Sequence, residues 1–126
     1  MSSFRAEMTI DNEYFPLSRV YFEMHRSVDS RGRPTSTPGW STWINMESTE
    51  KTTIANWMAD PKKTQDVTIT FYQTDQNTKF REIKLNKASC YLYHEQFESD
   101  ENFGLLRIQI MGPSVSIGST SYNNEP

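Results

Sequence analysis

Residues Leu17–Pro34 read LSRVYFEMHRSVDSRGRP, a strand-like alternation that runs directly into a charged segment without regular periodicity. In the first half, Val20, Phe22 and Met24 fall on one face, which is the period of a half-buried strand. From Asp29 to Gly39 the chain carries two prolines and two glycines, a composition typical of a loop. We therefore expect a strand that ends in an extended loop, and such loops in small domains commonly make functional contacts.

The rest of the chain shows the same alternation in several short segments. The residues expected to face inward from these segments are Phe4, Ala6, Met8, Ile10, Ile44, Met46, Val67, Ile69, Phe71, Ile83, Leu85, Leu106, Ile108 and Ile110. Ala88–Phe97 is predicted to continue extended, and Ser99–Gly104 to form a polar loop. Ser114–Ser119 is predicted as a short last strand, and Tyr122–Pro126 as a loose tail.

One helix is predicted, over Thr49–Ala59. The hydroxyl of Ser48 or Thr49 is suited to cap its first turn. Ile54, Trp57 and Met58 form an apolar stripe expected to cover the core. Short strands plus one helix predict a mainly β fold, a small antiparallel β-barrel with one flanking α-helix and an extended loop between strands 2 and 3. With 126 residues, the sequence predicts a single domain over 1–126.

Charge and composition exclude several functional classes. The formal net charge of −3 argues against a general nucleic-acid binder and against a basic membrane-surface protein. No apolar run approaches the length of a membrane span, and Met1–Arg5 lacks the apolar region of a secretory signal. We therefore expect a protein that is made in the cytoplasm, does not insert in a membrane, and leaves the cell, if it does, by a route that reads no N-terminal signal.

The residues suited to catalysis are few. Cys90 and His94 are the nearest candidates for a nucleophile and a base, but on a strand four residues span about 13 Å, far beyond hydrogen-bond reach. Cys90 is the single cysteine, His25 and His94 are the only histidines, and no pattern typical of a metal site or a phosphate-binding loop occurs. The sequence predicts no catalytic, cofactor-binding or metal-binding residue, and Cys90 is interpreted as a buried free thiol.

Arg31-Gly32-Arg33-Pro34 matches the core of an AT-hook, an element that lays arginines in the DNA minor groove. Such hooks usually lie in disordered basic tails, whereas this tetrapeptide follows Asp29 and lies between two predicted strands. We favour a loop whose arginines pair with carboxylates of this chain or of a neighbour.

Several segments together resemble the type VI secretion tube family, the haemolysin-coregulated proteins, in its Bacteroidetes-type branch. The similarity begins at Ser2–Met8, continues with a loop pattern H-R-x-V-D-x-x-G-R-P over His25–Pro34, and includes Glu47–Glu50 with Trp57-Met58. It ends with Cys90, Tyr93, Glu95 and Phe97, the Ser99–Asn102 loop, and Ile117-Gly118. Trp40, Trp43 and Pro113 depart from the family pattern, and two interpretations stay open: they alter ring stacking without changing the fold, or they mark a specialised paralogue.

The resemblance implies a subunit that forms homo-hexameric rings and no enzyme activity. In this family the rings stack into a tube inside a contractile sheath, capped by a spike protein, and carry small effectors in the lumen. The loop packs on neighbouring subunits, which makes Val28, Asp29, Arg31, Gly32, Arg33 and Pro34 the candidate subunit contacts. A ring of copies also covers strand edges that would otherwise pair without control.

Two other functions remain open from the sequence. The first is a non-tube paralogue that acts as an effector-binding adaptor or single-ring carrier. The second is a small β-barrel enzyme that uses Cys90 or His94.

Overall fold

The computed structural model describes residues 4–26, 28–33, 39–73, 78–118 and 120–123. In these ranges the chain is mainly β with one short helix, and every paired strand is antiparallel to its neighbour. The elements are β1 (Phe4–Ile10), β2 (Glu13–Leu17), β3 (Arg19–His25), β4 (Gly39–Glu47), α1 (Thr53–Ala59), β5 (Gln65–Gln73), β6 (Thr78–Gln96), β7 (Leu105–Gly112), β8 (Ser114–Ile117) and β9 (Thr120–Asn123). The predicted fold class is confirmed.

The strands form one curled sheet in the order β2-β1-β5-β6-β7-β4-β3. The 19-residue β6 pairs with β5 and β8 through its first part and with β7 through its second. Register shifts lie between Gln65 and Val67, between Phe71 and Tyr72, and between Cys90 and Leu92, and extra residues of this kind bend a strand and increase its twist. The long β6 therefore belongs to both halves of the sheet, the half with β5 and β8 and the half with β7.

The two ends of the sheet meet at a single residue, Ser18, which lies between β2 and β3. Its backbone N–H and its hydroxyl both donate to the carbonyl oxygen of Asn45, at 2.9 and 3.0 Å. No strand ladder joins β2 to β3 in the described ranges, so the barrel is open along this seam. The break at Ser18 also corrects the predicted numbering, since the extended loop follows the third strand and not the second.

The core lies between the two halves of the curled sheet, and most of the predicted inward residues are buried there. Its buried apolar residues are Met8, Ile10, Phe15, Trp40, Ile44, Met46, Ile54, Trp57, Val67, Ile69, Ile83, Leu85, Ala88, Cys90, Leu106, Ile108, Ile110 and Val115. Phe4 and Met24 were predicted inward but are exposed, because they lie at strand ends that extend past the core. Burial of one such aliphatic side chain contributes about 1.5–3 kcal/mol.

The helix is shorter than predicted, because it begins at Thr53 and not at Thr49. The Thr49 hydroxyl accepts from the Lys51 N–H at 3.2 Å and so closes a turn, while Ser48 donates its N–H to Gly104. Ile54 and Trp57 face the core as predicted, but Met58 is exposed, so that part of the stripe was wrong. No helix in the described ranges combines the length and the apolar character that crossing a membrane requires.

Two strands were missed from the sequence. β2 follows a two-residue hairpin turn at Asp11 and Asn12, which have φ values of 49° and 67°, as such turns require. Its Pro16 disfavours a central strand but suits an edge strand. β9 (Thr120–Asn123) pairs with β8, so the predicted loose tail is wrong for Tyr122 and Asn123, while residues 124–126 lie outside the described ranges.

Candidate assembly site

The extended loop begins with a tight turn over Asp29–Arg33, here called the Asp29 turn. Asp29 Oδ1 accepts the backbone N–H groups of Arg31 and Arg33 at 2.8 and 3.0 Å. Asp29 Oδ2 accepts from Arg33 Nε at 3.1 Å. The backbone closes the same turn, since Asp29 N–H donates to the Arg33 carbonyl at 2.8 Å and Gly32 N–H donates to the Asp29 carbonyl at 3.0 Å. One carboxylate therefore organises the turn.

The charge state of Asp29 follows from these bonds. The N–H groups of Arg33 and Arg31, and then the Arg33 side chain, hold the pKa of the Asp29 carboxyl below its ordinary value. Asp29 is therefore ionised at neutral pH and accepts the hydrogen bonds that hold the turn. Its contribution to stability is lost only as the pH falls through that lowered pKa. Gly32 has a φ of +78°, a conformation that a side chain disfavours, which explains why glycine occupies the turn.

The structure brings four of the predicted contact residues together within one chain. The Arg33–Asp29 ion pair confirms that this arginine pairs with a carboxylate. Val28 is 61% exposed beside the turn, and Arg31 is exposed as well. Pro34, the last predicted contact residue, lies outside the described residues. The turn thus presents an apolar side chain and a cation on a fixed backbone.

Cys90 and His94 do not form a catalytic pair. The bulge between Cys90 and Leu92 shifts the alternation, so the thiol is buried while His94 is exposed. Burial raises the pKa of Cys90 to about 11, and its Sγ donates a weak hydrogen bond to the Leu92 carbonyl at 3.7 Å. A neutral, buried thiol is a poor nucleophile.

We expect Cys90 to react slowly with an aromatic disulfide reagent at pH 8. A pKa of about 11 in place of 9.0 leaves about a hundredfold less thiolate. The measurement compares the absorbance change of the folded protein with that of the protein in denaturant. The Cys90 thiol ionises at a lower pH in the unfolded protein than in the folded protein. Its contribution to the free energy of unfolding is therefore complete below pH 9.0 and declines as the pH rises toward about 11. Equal rates in the folded and unfolded states would contradict this assignment.

Carboxylates meet at one further place, the exposed loop that joins β6 to β7. One carboxylate oxygen from each of Glu98, Asp100 and Glu101 lies within 4.8 Å of the others. All three side chains are exposed, and such acidic groups are common at protein surfaces without a metal. In the described residues this is the only cluster with metal-ligand chemistry, and we assign no metal to it.

Sequence reasoning missed a set of exposed aromatic rings. Four phenylalanines are at least half exposed: Phe4, Phe80, Phe97 and Phe103. Phe4 was assigned to the core because its position fits the alternation of β1. The sequence did contain one indication that rings would be exposed. Phe97 and Phe103 lie in one loop with acidic residues, a composition that does not favour burial.

Comparisons with known proteins agree with this fold. The sequence matches the family model of hemolysin coregulated protein Hcp (TssD) over residues 2–125. Hcp1 from Flavobacterium johnsoniae has a TM-score of 0.80 at 24% identity, covering 95% of this chain and 99% of that chain. Hcp1 from Salmonella typhimurium has a TM-score of 0.71 at 8% identity, covering 91% and 85%. A sheath–tube complex of PVC, an extracellular contractile injection system, contains a chain with a TM-score of 0.62 at 14% identity, covering 92% and 89%. No curated protein matches the chain.

Proposed function

This chain belongs to the TssD family (hemolysin coregulated protein Hcp), the tube proteins of type VI secretion systems, and from that premise we propose that it forms hexameric rings that stack into the inner tube. The tube lies in a contractile sheath, ends in a spike protein, and is ejected when the sheath contracts. Effectors travel in its lumen. The subunit's role is structural, without catalysis, nucleic-acid binding or membrane insertion.

The observation that carries this proposal is the family match over residues 2–125, which spans every strand of the fold. The sheet topology supports it. In the described ranges β2, β3 and β9 each pair with a strand on one side only, which leaves backbone groups available at three edges. Free edges are prone to uncontrolled pairing, and copies arranged head to tail in a closed ring cover such surfaces.

The extended loop is the proposed contact between subunits. Its contact residues are Val28, Asp29, Arg31, Gly32, Arg33 and Pro34. The Asp29 turn supports this role because it holds the backbone in one shape before contact, which lowers the entropy lost on association. Asp29 acts in the turn itself, while Val28 and Arg31 face the neighbouring subunit.

The protein is proposed to be made in the cytoplasm and exported with the tube, without a signal peptide. The test is the native mass of the purified protein over a range of concentrations, with negative-stain images of the same samples. Six-fold rings, alone or stacked, are the expected result. Single rings that never stack would favour the adaptor or carrier instead. A monomer at the highest concentration that is also not exported by a producing strain would contradict the tube function.

A further inference from the structure

A groove of about 470 Å³ lies beside the seam at Ser18. Mostly apolar side chains line it, among them Phe4, Phe22, Phe71 and Phe80, together with Arg19 and Arg81. We call this surface the aromatic groove. The rings of Phe4 and Phe80 pack edge to face at 5.1 Å, yet they remain 55% and 52% exposed. Adjacent exposed rings of this kind are typical of a contact surface rather than of a solvated one.

The aromatic groove is also positively charged. The Arg81 guanidinium lies 5.2 Å from the centre of the Phe80 ring, and Arg19 lines the groove nearby. Both side chains are exposed, and in the described residues neither forms an ion pair. Because arginine binds carboxylates through several donors at once and also packs on rings, the groove favours an acidic, aromatic segment.

The chain itself contains such a segment. Phe97–Phe103 reads FESDENF, and we call it the acidic loop. Its two terminal rings are 69% and 50% exposed, and its three carboxylates lie close enough to repel one another. A Cβ placed on Gly104 would approach the Phe97 ring to 2.5 Å, so the ring lies directly over this glycine and holds the end of the loop.

We propose that the acidic loop of one copy docks in the aromatic groove of a neighbouring copy. The two surfaces have no residue in common, and both remain exposed within one chain. Docking buries phenylalanine rings against each other and places the three carboxylates of the loop beside Arg19 and Arg81. Removing exposed aromatic area from water and relieving the repulsion within the loop both favour the contact.

The geometry of this contact is head to tail, because the loop and the groove are different surfaces of the subunit. Such heterologous contacts produce rings when they close and open filaments when they do not. The inference rests on the proposed tube function and deepens it, since it names a second contact besides the extended loop.

Charge reversal tests the docking. The groove variant is Arg19→Glu with Arg81→Glu, the loop variant is Asp100→Arg with Glu101→Arg, and a third protein combines all four changes. We expect the groove and loop variants to fold but to form no rings at concentrations where the unchanged protein does. A mixture of the two is expected to regain rings in which the two variants alternate, because the intact loop meets the intact groove and the reversed loop meets the reversed groove. The combined variant is expected to regain rings.

Lys62→Glu with Lys63→Glu is the matched control, because it makes the same change of charge at two exposed lysines of the α1–β5 turn. This control is expected to keep its rings. Sedimentation velocity gives the assembly state, and circular dichroism confirms the fold of each variant. Rings in both the groove and the loop variant would overturn the docking and leave the tube function standing. So would loss of rings in both variants with no rings in their mixture or in the combined variant. An unchanged protein that stays monomeric throughout would overturn both proposals.

Discussion

Trp40→Ala is expected to lower the free energy of unfolding by about 3–5 kcal/mol. Trp40 is 1% exposed and lies opposite Gly112 in the β4–β7 ladder. A Cβ on Gly112 would lie 2.8 Å from Trp40 Cζ2 and 2.9 Å from the Lys87 carbonyl oxygen, so the glycine is what makes room for the indole. Without the ring a large cavity remains, and a small domain has only about 5–15 kcal/mol of total stability.

Trp43→Ala is the matched control for this prediction. Trp43 points to the outer face of β4, is only half-buried, and packs edge to face on Tyr21 at 5.4 Å. Loss of such a pair costs about 0.5–1.5 kcal/mol. Urea unfolding followed by far-ultraviolet circular dichroism measures both variants. Equal losses of unfolding free energy in the two variants would contradict the prediction that the buried Trp40 ring stabilises the core more than Trp43 does.

Asp29→Arg is expected to abolish ring formation while the subunit stays folded. The substitution removes the acceptor of the Arg31 and Arg33 N–H groups and places a third cation in the turn. Arg33→Glu is expected to act in the same way, because it sets a carboxylate against Asp29 where an ion pair at 3.1 Å stood. The turn is largely exposed and contributes no residue to the buried core, so the melting temperature should change little.

Arg31→Glu separates the shape of the turn from its surface charge. It changes the net charge as much as Arg33→Glu does, but only the backbone N–H of Arg31 contacts Asp29. We expect this variant still to form rings, but only at a higher protein concentration than the unchanged protein requires. Native mass, negative-stain images and export are measured for all three variants. Normal rings and full export in both Asp29→Arg and Arg33→Glu would remove the loop from the assembly contacts.

Most of the fold could be predicted from local patterns. The two-residue alternation correctly assigned Met8, Ile44, Ile69, Leu85 and Ile108 to the core. It failed where a local interaction ended a pattern early. The turn closed by the Thr49 hydroxyl delays the helix to Thr53, and the break at Ser18 separates Leu17, which ends β2, from the rest of the strand that was predicted to start there. Side-chain hydrogen bonds of this kind compete with regular structure, and periodicity does not report them.

The candidate site was predictable only in part. The loop composition indicated a contact segment, and the pairing of an arginine with a carboxylate was expected. That the carboxylate is Asp29 of the same chain, and that it holds two N–H groups besides, depends on a backbone path that includes a φ of +78° at Gly32. The aromatic groove was missed because Phe4 and Phe80 are distant in sequence.

The sequence by itself determined the antiparallel β class, the inward face of most strands and the place of the extended loop. These features follow from backbone period and turn chemistry, which act over a few residues. Only the tertiary structure decided that Trp40 would fit over Gly112, that Cys90 and His94 would face opposite ways, and that Phe4 and Phe80 would form one exposed surface. Burial and contact depend on how the curled sheet joins distant segments, and no local pattern contains that information.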